Sequence, residues 1–181
     1  MNTARFLFFL VLTLAGCSSV SIRDYAETTP PLVMEEFFDG TVVGDGLVFD
    51  RSGKLVREFR VVIKGEWNGV DTLVLHESFK YSDGEESEKQ WKIDAKSGAD
   101  NVINYSGRMQ DIVGSARGRS VGKAINWRYD MKVVADGSEW TLGFDDWMWK
   151  IDDSLVINRI KMSKFGLNVG EILITFRRDR S

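Results

Sequence analysis

From Thr41 onward, apolar and polar residues alternate with a period of two. Phe59, Val61, Ile63 and Trp67 fall on one side with Gly65, while Glu58, Arg60, Lys64 and Glu66 fall on the other with Val62. Leu73, Leu75, Glu77, Phe79 and Tyr81 share a side of the next run. Trp127, Tyr129, Met131 and Val133 share a side of a later one, opposite Arg128, Asp130 and Lys132. Successive side chains of a strand point to opposite faces, so this pattern predicts half-buried antiparallel strands. Turn signals separate the runs: Arg51-Ser52-Gly53, Asn68-Gly69, Asp83-Gly84, Ser97-Gly98, Asp136-Gly137, Asp152-Asp153 and Phe165-Gly166. Asn-Gly and Asp-Gly supply the positive φ angles that tight hairpins need.

This spacing predicts about eight to ten long strands joined as a meander, with no amphipathic helix of useful length between them. Consecutive long antiparallel strands remove their exposed edges by closing on themselves. The expected fold is therefore all-β, an antiparallel up-and-down barrel of the lipocalin or calycin kind, with a two-sheet sandwich as the alternative.

One row breaks the apolar pattern. Gly114, Ala116, Gly118, Ser120, Gly122, Ala124 and Asn126 are small or polar, although Trp, Phe, Tyr and Met crowd the flanking sequence. The segment is too long for one ordinary strand, which predicts two strand pieces around a bend at Gly118 to Gly122. Small inward residues either leave room for large side chains from across the barrel or leave a cavity for a ligand.

The chain opens differently. Arg5 and the amino terminus precede an apolar stretch, Phe6 to Leu14, and then Leu14-Ala15-Gly16-Cys17. The stretch is too short to span a bilayer, which takes about 20 residues as a helix, and fits the apolar region of a secretory signal. Leu14-Ala15-Gly16-Cys17 resembles the bacterial lipobox, which implies lipidation of Cys17, palmitate-type acylation and cleavage before it. Ser18 rather than Asp follows, and in the sorting rule this resembles, that implies the outer membrane and its periplasmic face. Residues 1–16 are thus expected to be a signal peptide. Residues 17–36, which hold both prolines, Pro30 and Pro31, are expected to form a lipidated tether, and residues 37–181 one barrel domain.

Composition narrows the function classes. The formal charge of −3 argues against a nucleic-acid partner, which a basic face would attract. The single His (His76) and single Cys (Cys17) exclude an ordinary Cys/His zinc site within one chain, and the aspartates match no EF-hand spacing, so neither metal nor cofactor is expected.

The unusual chemistry lies in Gly143–Asp153. Asp146 alternates with Leu142, Phe144 and Met148, and Asp145 with Gly143, Trp147, Trp149 and Ile151, so whichever face is buried carries a carboxylate among apolar groups. Glu77 has the same problem between Leu75 and Phe79. Such a group needs a partner or a raised pKa. Arg128, Asn126, Asn158, Arg159 and Lys164 are the candidate partners. The candidate ligand-binding set is Glu77, Asn126, Trp127, Tyr129, Asp145, Asp146, Trp147, Met148 and Asn158.

Several stretches form a set: Phe37-Phe38-Asp39-Gly40; Gly44, Gly46, Asp50 and Gly53; Glu77, Phe79 and Tyr81 with Asp83-Gly84; and Trp91. Asp111, Gly114, Gly118, Gly122, Asn126, Trp127 and Tyr129 continue it, and Asp145-Asp146-Trp147-Met148, Asn158 and Lys164-Phe165-Gly166 close it. Together they resemble a family of uncharacterised proteobacterial lipoproteins, domain of unknown function 3833, although Met109 stands where the family pattern has a small residue. The resemblance implies an envelope lipoprotein associated with lipids and brings no activity with it. The expectation is a non-enzymatic, membrane-anchored carrier of a lipid or other apolar molecule. The alternatives are a structural envelope lipoprotein docking a partner, or a hydrolase using Glu77 and Asp146 as acid and base.

Overall fold

Each alternating run becomes one strand of a single closed sheet. The computed structural model describes residues 20–135 and 137–178. Its strands are β1 (Gly40–Asp50), β2 (Leu55–Trp67), β3 (Thr72–Tyr81), β4 (Glu86–Ser97), β5 (Ile103–Arg108), β6 (Ile112–Val121), β7 (Ala124–Ala135), β8 (Ser138–Asp152), β9 (Leu155–Lys164) and β10 (Leu167–Arg178). Each pairs antiparallel with the next, and β1 pairs with β10 from Val42↔Arg178 to Asp50↔Gly170. The meander therefore closes as a ten-stranded up-and-down barrel with no free edge, and the sandwich alternative falls.

The inward rows are the apolar ones. Phe59, Val61 and Ile63 of β2, Leu73 and Leu75 of β3, Ile125 and Trp127 of β7, and Ile174 and Phe176 of β10 are all buried. On β1 the inward positions include glycines because aromatic rings occupy the space. A Cβ on Gly46 would lie 2.2 Å from the Phe59 ring, and one on Gly44 would lie 2.9 Å from that of Phe176.

A short helix, α1 (Met34–Phe38), stops one end of the barrel. The Phe38 ring meets those of Phe37 and Phe176 edge-on, at 5.1 and 5.5 Å. The Met34 N–H donates to the Tyr105 hydroxyl at 3.2 Å, and that hydroxyl donates to Glu35 at 3.0 Å. Helix and barrel wall touch so closely at Gly65 that a Cβ there would sit 1.8 Å from the Phe38 carbonyl oxygen.

The packed part of the chain begins upstream of Phe37. Leu32 is fully buried, donates its N–H to the Gly122 carbonyl at 2.9 Å and accepts from the Ser120 hydroxyl. A 3-10 turn at Ile22–Tyr25 lies outside β6 and β7, with the Tyr25 ring 5.7 Å from that of Trp147. Much of the segment expected to be a tether is thus fastened to the barrel. Two prolines interrupt any period there, but Leu32 and Met34 are apolar and close enough to Phe37 and Phe38 to bury with them. Cys17 and the signal residues lie outside the described residues.

The small row resolves into one strand, a turn and the next strand. β6 continues to Val121, with a bulge-like register shift between Val113 and Arg117, and the chain reverses at Gly122-Lys123, at the edge of the expected bend. Gly118 makes room for Trp127: a Cβ there would lie 2.7 Å from the indole. Gly107 of β5 does the same, 3.0 Å from Trp91 and 3.2 Å from Trp127. Gly122 has φ +53, and a Cβ there would fall 2.0 Å from the Tyr25 carbonyl oxygen. We expect Gly118→Val to cost about 1–3 kcal/mol by overpacking against this indole. In urea unfolding, the neighbouring outward change Arg119→Ala should stay within about 0.5 kcal/mol.

Candidate functional site

The side chains do not fill the barrel. A cavity of about 560 Å³ runs from the α1 stopper to the opposite end, where it reaches the surface beside Glu85, Val134 and Glu139. Its walls are mainly apolar, with Phe59, Phe79, Met131, Phe144, Ile160 and Met162 among them. A depression of about 640 Å³ also lies on the outer wall by β1, β2 and β10. Its charged groups are exposed, and Asp45 and Arg60 pair with each other there at 2.8 Å. It offers a ligand no enclosed polar contact, so the interior cavity is the candidate site.

A belt of polar groups crosses this cavity at mid-height. Asp146 of β8 is buried and accepts from the Asn158 side-chain amide of β9 and from the Tyr129 hydroxyl of β7. Asn158 is 1% exposed; its amide also donates to the Trp147 carbonyl at 2.9 Å, while its own Oδ1 has no partner. Glu77 of β3 borders the cavity, accepts from Trp91 and stands beside Lys89 in the β3–β4 register. Lys89 in turn bridges to Asp111 at 2.5 Å.

Burial governs the charges of the belt. The apolar surroundings push the Glu77 carboxyl up to about 7; Lys89 pulls against this and Asp146 adds to it. Burial also pushes Asp146 up to about 7, with Asn158 opposing the rise and the neighbouring Asp145 reinforcing it. Burial raises the Tyr129 hydroxyl far above its usual value, so it stays a donor. Both carboxyls are held by the folded protein as acids at pH values where the unfolded chain ionises them. Their protonation therefore stabilises the fold fully below about pH 4, and this is lost as pH rises toward 7. We expect the urea midpoint to fall between pH 5 and pH 8. Asp146→Asn and Glu77→Gln should each flatten that fall; an unchanged slope in both would refute the assignment.

Of the candidate residues, Glu77, Trp127, Tyr129, Asp146, Met148 and Asn158 line the cavity. Asn126, Asp145 and Trp147 do not. Strand alternation turns them outward, where Asn126 donates to Asp145 at 2.7 Å, Arg128 lies 3.6 Å from Asp145, and Trp147 packs on Tyr25. Of the candidate partners, Asn158 reaches Asp146, whereas Arg159 and Lys164 lie over Trp149 and Trp140 instead. Sequence reasoning missed Lys89 and Trp91, although both alternate inward with Ser87 and Ile93 along β4. Among the described residues, no cluster of His, Cys, Asp and Glu is placed to hold a metal ion.

The mouth has an apolar rim. Phe165 and Leu167, on the β9–β10 hairpin, are 94% and 71% exposed, and Val134 and Trp140 flank the adjacent β7–β8 turn. The Lys164 ammonium sits 3.6 Å from the centre of the Trp140 ring. Phe165 has φ +50, a conformation that Asn or Gly adopts more cheaply, so its aromatic ring gives the hairpin no evident advantage.

The model of a family described as protein of unknown function (DUF3833) matches residues 11–178. The chain belongs to the DUF3833 family. No curated protein sequence matches it. Among solved structures, the DUF3833 barrel is similar to the S-type phycobiliprotein lyase CPES from Guillardia theta, with a TM-score of 0.59 and 11% identity over 83% of this chain and 94% of that one. It also aligns with a de novo designed fluorescence-activating β-barrel, with a TM-score of 0.40 and 16% identity over 82% of this chain and all of the design. At such identities the lyase likeness establishes the fold alone: a closed, lipocalin-like barrel.

Proposed function

We propose that this DUF3833 protein is a non-enzymatic carrier that holds one apolar or amphiphilic envelope molecule, of lipid class, inside its barrel. The observation that carries this reading is the cavity of about 560 Å³, with mostly apolar walls and a polar belt. Protein interiors are normally packed to crystal-like density, and pockets of about 300–1,000 Å³ with a few convergent polar groups are the usual form of a small-molecule site. A fluorescent acyl probe should bind at one per chain and quench Trp91 or Trp127 emission. No saturable binding across acyl probes of several lengths would refute the carrier.

The same proposal places the protein on the periplasmic face of the outer membrane, lipidated at Cys17, and rests here on Leu14-Ala15-Gly16-Cys17 and Ser18. Tyr25 packs near the stoppered end, so an anchor a few residues upstream would hold that end and leave the mouth free. Labelled palmitate should enter the wild-type polypeptide and not the Cys17→Ser variant.

The rim supports traffic between the cavity and a lipid surface. Exposed Phe165 and Leu167 suit contact with acyl chains, and the Lys164–Trp140 pair suits the interface of an anionic bilayer. Phe165→Asn should leave the unfolding midpoint unchanged or raised, because Asn tolerates the positive φ. It should slow transfer of an acyl probe from anionic vesicles severalfold; an unchanged transfer rate would remove the rim from the pathway.

A further inference from the structure

The belt sets a demand on the ligand's head group. Among the described residues, three cations line the cavity, and each has an acidic neighbour: Arg57 with Glu85 at 2.6 Å, Lys89 with Asp111 at 2.5 Å, and Lys132 with Glu139 at 2.9 Å. The two lining carboxyls outside these pairs are Glu77 and Asp146, at the belt itself. Among the described residues, no cation forms an ion pair with either.

The hydrogen-bond inventory leans the same way. The belt offers the Tyr129 O–H, the Trp91 N–H and one Asn158 N–H, since the second Asn158 donor is committed to the Trp147 carbonyl. Against these stand four carboxyl oxygens and the Asn158 Oδ1, which is buried and has no donor. Each such oxygen accepts up to two hydrogen bonds, so acceptors outnumber donors even when each carboxyl carries a proton and donates its O–H. A buried acceptor left unmatched costs free energy, and a charge-assisted donor satisfies it best. A carboxylate or phosphate head would add acceptors where they are already in excess, and its negative charge would further oppose ionisation of Glu77 and Asp146.

We infer that the cavity takes an amphiphile whose buried end is a protonated amine or similar cationic N–H donor, seated at Glu77 and Asp146 beside Asn158, with its apolar tail running toward the mouth. This rests on the carrier reading above and narrows it. Four residue steps along β3 lead from Glu77 to Tyr81, about 13 Å of strand, and Phe79, Met131 and Met162 line the way. An ammonium has three donors, more than enough to give one to each carboxyl. Its single positive charge would offset one ionised carboxyl, while the other keeps its proton and shares the remaining hydrogen bonds.

The test compares head groups on one tail. Dodecylammonium, dodecanol and dodecanoate are titrated into the protein by calorimetry below their micelle concentrations. Dodecylammonium should bind about tenfold or more tighter than dodecanol, and dodecanoate weaker than both. In Asp146→Asn and Glu77→Gln, the preference for dodecylammonium over dodecanol should shrink to about twofold. Equal binding of all three to the wild type, or a preference for dodecanoate, overturns the inference and leaves the carrier intact. Binding of none of them overturns both. The wild-type comparison stands even if a variant fails to fold.

Discussion

Replacing Phe38 with alanine is expected to destabilise the protein by about 3–5 kcal/mol, the range for deleting a buried phenylalanine from a core that cannot collapse around the gap. Phe38 is 1% exposed and stands at the centre of the stopper, against Phe37 and Phe176. Its carbonyl also touches the barrel wall at Gly65, so the helix cannot shift inward to refill the space. Phe38→Leu keeps most of the apolar volume and should cost less than about 1.5 kcal/mol. Urea unfolding read by Trp fluorescence distinguishes the two. An Ala variant within about 0.5 kcal/mol of the wild type would mean that the stopper contributes nothing to the fold.

Replacing Ser87 with tryptophan is expected to abolish most ligand binding while leaving the fold intact. Ser87 lines the cavity opposite Phe79 in the β3–β4 register and is only half-buried, so an indole there extends into free space rather than into packed side chains. Acyl-probe affinity should fall by about tenfold or more, equivalent to about 1.4 kcal/mol, with the unfolding midpoint nearly unchanged. The outward neighbour Glu88→Trp serves as control, since alternation points it to solvent. Equal loss in both variants would show that the effect does not come from filling the cavity.

The fold was legible because a closed antiparallel meander writes itself locally. Strands such as β2, β3 and β7 alternate, and Asn68-Gly69, Asp83-Gly84 and Phe165-Gly166 mark reversals at the residues where the chain turns. The packing of Leu32 and Met34 was not legible, because five or six residues of mixed polarity carry no period, and their burial depends on what the far end of the barrel leaves open. The small row was half legible. Gly118 had to seat something large, but only three-dimensional register shows that this is Trp127 rather than a ligand.

The site divides in the same way. Asp146 and Asp145 are adjacent, and sequence alone cannot say which of them is inward. The β7–β8 register settles it by pairing Asp146 with Trp127 and Asp145 with Arg128. Asn126 and Trp147 fall outward by the same parity, and Trp147 is covered there by Tyr25 and stacks on Trp149. Lys89 hid among the charges of β4, where Glu86, Glu88 and Gln90 on the opposite face make the whole strand look solvated.

The most direct test of the account is native mass spectrometry of the protein purified from its own host, combined with lipid extraction. The account predicts an apolar or amphiphilic molecule bound at about one per chain, and its disappearance in the Ser87→Trp variant. A bare polypeptide mass from both proteins, with no acyl probe taken up by the wild type, would contradict it.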